Sequence, residues 1–105
     1  MSEAGERLAK LQERVETAVS LAKGDGGASP VLVAVVEELG RKMGKALDSI
    51  GSGGDEREAV VEVEQAADSA KYAAEADGGL GAETKQAIVD AHDRICVLKS
   101  KMAGE

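Results

Sequence analysis

The sequence predicts an all-α fold, an up-down four-helix bundle made of two similar helical hairpins, and three observations carry that expectation. Apolar residues recur at alternating spacings of three and four through four long stretches, which marks helices with one face turned to a core. Glycine-rich clusters at 24–27, 51–54 and 78–81 separate those stretches. An offset of 52 also superimposes Leu8, Leu11, Val15, Ala18 and Ala22 on Val60, Val63, Ala67, Ala70 and Ala74. The same offset lays Asp25-Gly26-Gly27 on Asp77-Gly78-Gly79, and Val36, Leu39, Met43, Ala46 and Ile50 on Ile88, Ala91, Ile95, Leu98 and Met102. The reading is one domain over 1–105, with hairpins 2–50 and 55–103 joined by a glycine linker at 51–54. Few residues are identical across the offset, so duplication is a hypothesis, and two hairpins can share a pattern because they are hairpins.

The first helix is expected from Ser2 to Lys23, with Glu6 and Lys10 at the i,i+4 spacing that favours attraction. The following glycines stop it, because glycine takes the left-handed cap conformation without strain. Ser29-Pro30 opens the second helix, serine as N-cap and proline at the first helical position, where a missing N–H costs nothing. The run from Val31 to Val36 is apolar all round, so this helix start needs cover on more than one side. Val31, Val33 and Val35 are therefore the leading candidates for a dimer interface. Gly40 and Gly44 form a smooth notch later in the same helix, each costing about 1 kcal/mol relative to alanine.

Asp55-x-x-Glu58 caps the third helix, which runs to about Ala76 with an inner face of Ala59, Ala66, Ala67, Ala70, Ala73 and Ala74. Such small side chains let a neighbouring helix come close. Its outer face is acidic: Glu58 with Glu62, and Glu64 with Asp68, are like-charged i,i+4 pairs. Leu80 is expected to tuck under the second hairpin turn. The last helix runs from about Ala82 to Met102, with Ile88, Ala91, Ile95, Leu98 and Met102 inward. Val89, Cys96 and Val97 form a weaker apolar line off the main face, and Val89 and Cys96 join Gly40 and Gly44 as secondary interface candidates.

Composition bounds the function. The chain has no Phe or Trp and one Tyr, and alanine supplies much of its apolar content, so its core is thin for 105 residues. A thin core favours a partner surface, most simply a second copy. The net charge of −7 falls almost entirely on residues 55–77, with eight acids against two bases. That argues against nucleic acid, which needs a basic face to displace counterions from phosphate. No apolar stretch approaches the ~20 residues of a membrane span. The acidic start, Met1-Ser2-Glu3-Ala4-Gly5-Glu6, lacks the basic-then-apolar layout of a signal peptide. With Cys96 the single cysteine, a reducing cytoplasm is expected.

His92 is the single histidine and stands i,i+4 from Cys96, a spacing that can present two metal ligands. A structural zinc site takes four ligands, and no other Cys or His exists to supply them, so neither a metal nor a cofactor is expected. The residue three before His92 is Val89, so the Glu-x-x-His signature of di-iron bundles is absent. A lone histidine on a bundle helix invites comparison with histidine phosphotransfer domains. Their lysine and glycine shortly after the histidine are missing here, where Asp93, Arg94, Ile95 and Cys96 follow. His92 and Cys96 occupy the places of Gly40 and Gly44 at the offset of 52, which favours a packing role for Cys96 and a flank position for His92. The two Asp-Gly-Gly turns carry neither the Gly-Lys-Ser/Thr ending of a phosphate loop nor the spaced carboxylates of a calcium loop.

The expectation is a non-catalytic bacterial interaction or assembly module, homodimeric through the start of the second helix. A phosphorelay role for His92 is the first alternative. The second is an acidic chaperone or decoy that holds a basic protein on Glu58, Glu62, Glu64 and Asp68.

Overall fold

The structure, a computed structural model, describes residues 3–103. Four α-helices follow in chain order: α1 (Glu3–Gly24), α2 (Pro30–Gly51), α3 (Glu56–Ala76) and α4 (Ala82–Ala103). Among the described residues there is no strand, so the β-branched start of α2 is helical. Each helix packs on its neighbours in sequence, α1 closes the ring against α4, and α1 also meets α3 across the diagonal. The result is a compact four-helix bundle. Ser2, the expected start of the first helix, lies outside the described residues. Gly24 and Gly51, read as stops, are the final helical residues, so each break comes one residue later than expected.

The expected apolar faces point inward. Leu8, Val15, Leu32, Val36, Leu39, Met43, Val60, Val63, Ile88 and Ile95 are the largest fully buried side chains, while Leu11, Ala66, Ala73, Leu80 and Met102 pack on the core partly exposed. Ser29 caps α2, its Oγ accepting from the Leu32 N–H at 3.1 Å, and an Asp55 oxygen accepts from the Glu58 N–H at 3.1 Å. At the linker, Gly53 has φ +87°, a backbone state that a residue with a Cβ adopts only at a cost.

The valine run is covered in large part within one chain. In a square bundle each helix has two neighbours, so a helix can bury more than one stripe. Leu32 and Val36 are in the core, Val33 and Val35 are half-buried on its two sides, and Ala34 and Val31 stay outside, Val31 at 69% exposure. Glu6 and Lys10 do not form the expected ion pair. Arg7 instead pairs with Glu3 one turn earlier.

The two Asp-Gly-Gly turns meet at one end of the bundle and are tied crosswise. Ala18 and Ala22 of α1 and Ala70 and Ala74 of α3 are buried there, and such small side chains let the ends of these diagonal helices come together. Asp25 Oδ1 accepts from the Gly27 N–H of its own turn at 2.9 Å. Its Oδ2 reaches the other hairpin, accepting from the Gly81 N–H at 2.9 Å and the Thr84 hydroxyl at 2.8 Å. Asp77 mirrors it: Oδ1 accepts from the Gly79 N–H at 3.0 Å and Oδ2 from the Ser29 N–H of the first hairpin at 2.8 Å. Ser29 and Gly81, like Asp25 and Asp77, stand 52 residues apart, so the same crossed bonds occur twice. A Cβ on Gly27 would lie 1.9 Å from the Gly79 carbonyl oxygen, and one on Gly79 would lie 2.6 Å from that of Gly27. The crossing therefore requires glycine at both positions.

These bonds favour the ionised carboxylates. The Thr84 hydroxyl first, then the Gly81 and Gly27 amides, hold Asp25 below its ordinary 3.8, and the Ser29 and Gly79 amides do the same for Asp77. A depressed folded pKa gives stability that is complete above the ordinary value and lost as pH falls through the folded one. Thermal unfolding followed against pH is expected to show a steep loss of Tm below about pH 4. An Asp25→Asn, Asp77→Asn double variant is expected to start from a lower Tm at neutral pH and to show a shallower acid limb. In α2, Gly44→Ala places its methyl in open space and is expected to stabilise by about 1 kcal/mol in urea unfolding. Gly40→Ala is expected to gain less, because its Cβ would meet Val19 Cγ2 at 3.3 Å.

Candidate functional site

On α4, the core positions Ile88, Ala91, Ile95 and Leu98 leave His92, Cys96 and Lys99 together on the flank that faces α3. On α3, burial of Ala67 and Ala70 leaves Glu64 and Asp68 on the facing flank. The two flanks interlock: Lys99 Nζ donates to Glu64 Oε1 at 2.8 Å, and His92 Nε2 lies 2.8 Å from Asp68 Oδ1. The other ring nitrogen, Nδ1, lies 3.0 Å from Asp93 Oδ1, and Cys96 Sγ lies 3.4 Å from Nε2. His92 is largely covered, its side chain 13% exposed, whereas that of Asp68 is 52% exposed.

This arrangement concentrates acceptors around one imidazole. A neutral ring carries a single N–H, so it can donate to Asp93 or to Asp68 but not to both; satisfying both carboxylates takes a second proton or another cation. Burial first, then the charges of Glu64, Asp68 and Asp93, push the Cys96 thiol above its ordinary value, with Lys71 opposing them. As a phosphoacceptor His92 is poorly set. Nε2 is walled by a carboxylate and a thiol and Nδ1 faces a second carboxylate, so an anionic phosphoryl donor meets like charge on either side.

The remaining candidates are scattered over three seams of the bundle. Gly40 lies beside Val19 at the α1/α2 seam, where Glu16, Ser20, Lys23 and Glu37 line a shallow hollow. Val33, two turns earlier on the same face, belongs there too, and Gly44 has open space beside it. Val35 lines a hollow at the α2/α3 seam with Glu38, Lys42, Glu62 and Ala66. Cys96 belongs to the α3/α4 seam and Val89 is half-buried on the same helix. Of the four candidate acids on α3, Glu64 and Asp68 turn to α4 and are partnered, which relieves their mutual repulsion. Glu58 stays outside and Glu62 is half-buried.

The fourth seam went unread in the sequence. The groove between α1 and α4 is lined by the cations Arg7, Lys10, Arg14, Arg94 and Lys101, around Leu11, Val97 and Leu98. Glu13, Asp90 and Asp93 are its acids, and Asp90 pairs with both Arg14 and Arg94. Lys10 and Lys101 have no ion-pair partner among the described residues. Counting charge by helix hides this groove, since α1 and α4 are each near balance. The spacing of Arg7, Lys10 and Arg14 by three and four, and of Arg94 and Lys101 by seven, was the available signal. No helix among the described residues is long and apolar enough to cross a membrane. No family model, curated protein or solved structure matches the chain.

The covered, carboxylate-flanked thiol is expected to react more slowly with iodoacetamide at neutral pH than a free cysteine. Its rate is expected to rise only above the ordinary thiol range, and Asp68→Asn is expected to speed it by removing one of the opposing charges.

Proposed function

We propose that the protein is a non-catalytic interaction module that assembles with a second copy of itself, the α1/α4 groove of one copy receiving the outer face of α3 of the other. The observation that carries this reading is the segregation of charge and exposed apolar surface between those two faces. The chain as a whole is strongly acidic, yet the groove gathers five cations against three acids around an apolar floor. The outer stripe of α3, Glu58, Glu62, Gln65, Ser69 and Tyr72, follows helical spacing and carries the complementary charge. Among the described residues the exposed large apolar side chains are Val31, Tyr72 and Val97, at 69%, 79% and 54%. Tyr72 stands on the acidic stripe and Val97 in the basic groove. A tyrosine of this kind suits an anchor, its ring meeting apolar surface while its hydroxyl stays at the polar rim. Complementary rim charges set orientation and encounter rate more than affinity.

The test is sedimentation velocity at low and high salt. Self-association is expected at low salt and is expected to weaken as salt screens the rim. Tyr72→Ala is expected to cost about 2 kcal/mol of association free energy, the scale of an interface anchor. A Lys10→Glu, Lys101→Glu chain and a Glu58→Lys, Glu62→Lys chain are each expected to lose self-association, and to associate when mixed because both contacts between unlike chains are then complementary. A wild-type chain that stays monomeric at low salt through the micromolar range, or variants that assemble unchanged, would overturn the reading.

A further inference from the structure

We propose that Asp68, His92 and Cys96 form a binding site for a borderline-soft divalent cation of the zinc class. The expectation of no metal counted only cysteine and histidine within one helix, and the fold adds a carboxylate from α3. The three donor atoms, an oxygen, an imidazole nitrogen and a sulfur, all lie within 4.8 Å of one another. Bonds of about 2.0–2.3 Å in a tetrahedral shell put neighbouring donors about 3.3–3.7 Å apart. Cys96 Sγ and His92 Nε2, at 3.4 Å, already have that separation. The 2.8 Å contact of Nε2 with Asp68 must open slightly, and Asp68, half exposed on its helix, has the freedom to swing.

A second observation points the same way. Asp93 holds Nδ1 at 3.0 Å, the arrangement in which a carboxylate accepts a hydrogen bond from one ring N–H and leaves the lone pair of the other nitrogen toward a metal. With Nδ1 donating to Asp93, the Nε2 lone pair faces a carboxylate oxygen and a thiol, three electron-rich atoms that a cation reconciles. The donor set of one nitrogen, one sulfur and one oxygen suits zinc, with cobalt as its spectroscopic substitute, over magnesium or calcium, which take oxygen. Three protein ligands leave a fourth position for water. Glu64 is held by Lys99 and is not counted. The three ligands lie on the α3/α4 seam and none lines the proposed α1/α4 groove, which the site shares only through the positioning residue Asp93.

The experiment uses the full, untagged chain, reduced and stripped with chelator, titrated with Co²⁺ and then Zn²⁺. One Co²⁺ per chain is expected, with a thiolate-to-cobalt charge-transfer band that Zn²⁺ abolishes by displacement. Cys96→Ser is expected to remove the band and His92→Gln to remove binding, while Asp93→Asn, a positioning change, is expected to weaken affinity by about 10–100-fold. Asp48→Asn, an exposed acid of α2 remote from the site, is expected to leave binding unchanged. A measurement on the wild type alone guards against misfolded variants: stoichiometric Zn²⁺ is expected to slow Cys96 alkylation, and chelator to restore it. Absence of the charge-transfer band, binding that survives Cys96→Ser and His92→Gln unaltered, or alkylation indifferent to Zn²⁺ would overturn the proposal.

Discussion

The crossed contact between the two Asp-Gly-Gly turns is the constraint around which this bundle is arranged. The linker after α2 joins the hairpins covalently at one end only; at the other, nothing in the chain itself prevents them from parting. There Asp25 and Asp77 each bond both their own turn and the start of the opposite hairpin's second helix. Four backbone N–H groups that helix starts and tight turns leave unpaired are thereby satisfied by two side chains. The contact in turn fixes what may surround it. Glycine at 27 and 79 lets the turns touch, alanine at 18, 22, 70 and 74 lets the helix ends approach, and Thr84, 4% exposed, is placed to give Asp25 a further donor.

What could be read from the residues divides along a physical line. Periodicity reports which face of a helix is buried, and it located Leu8, Leu39, Met43, Ile88 and Ile95 correctly because burial acts on every turn. It says nothing of which neighbour lies on which side. The valine run thus suggested an unmet need for cover, although α1 and α3 flank it and leave only Val31 and Ala34 outside. The same gap hid the meeting of Asp68 with His92 and the cationic groove of Arg7, Lys10, Arg14, Arg94 and Lys101, since each joins helices whose adjacency a linear spacing does not encode. The Asp-Gly-Gly repeat was visible, but as a pair of helix stops; that each aspartate serves the other hairpin follows only once the turns share one end of the bundle.

The seams differ in chemistry although the hairpins share a pattern. Gly40 and Gly44, and their counterparts His92 and Cys96, occupy like positions at the offset of 52. On the α1/α2 seam the first glycine closes on Val19. On the α3/α4 seam the imidazole and thiol instead meet acids from the neighbouring helix. The chain thus keeps one hairpin plain and loads the other with its single histidine, single cysteine and most of its excess acid, while the groove on the far side collects the bases. Burial is nearly the same in both hairpins, so this asymmetry belongs to the surface and not to the demands of folding.

Arg57, in the first turn of α3, donates to the Met102 carbonyl near the end of α4 at 3.2 Å, and Glu3, Ala4, Glu56 and Lys101 line one hollow beside it. The first residues of both hairpins and the last residues of α4 are therefore gathered at the end remote from the crossed carboxylates. Reconnecting the chain by a short bridge from α4 back to α1, and cutting it at Gly53, would reverse the order of the hairpins without moving a single interior side chain. In this architecture the order of synthesis and the order in space are separable, and either hairpin can come first.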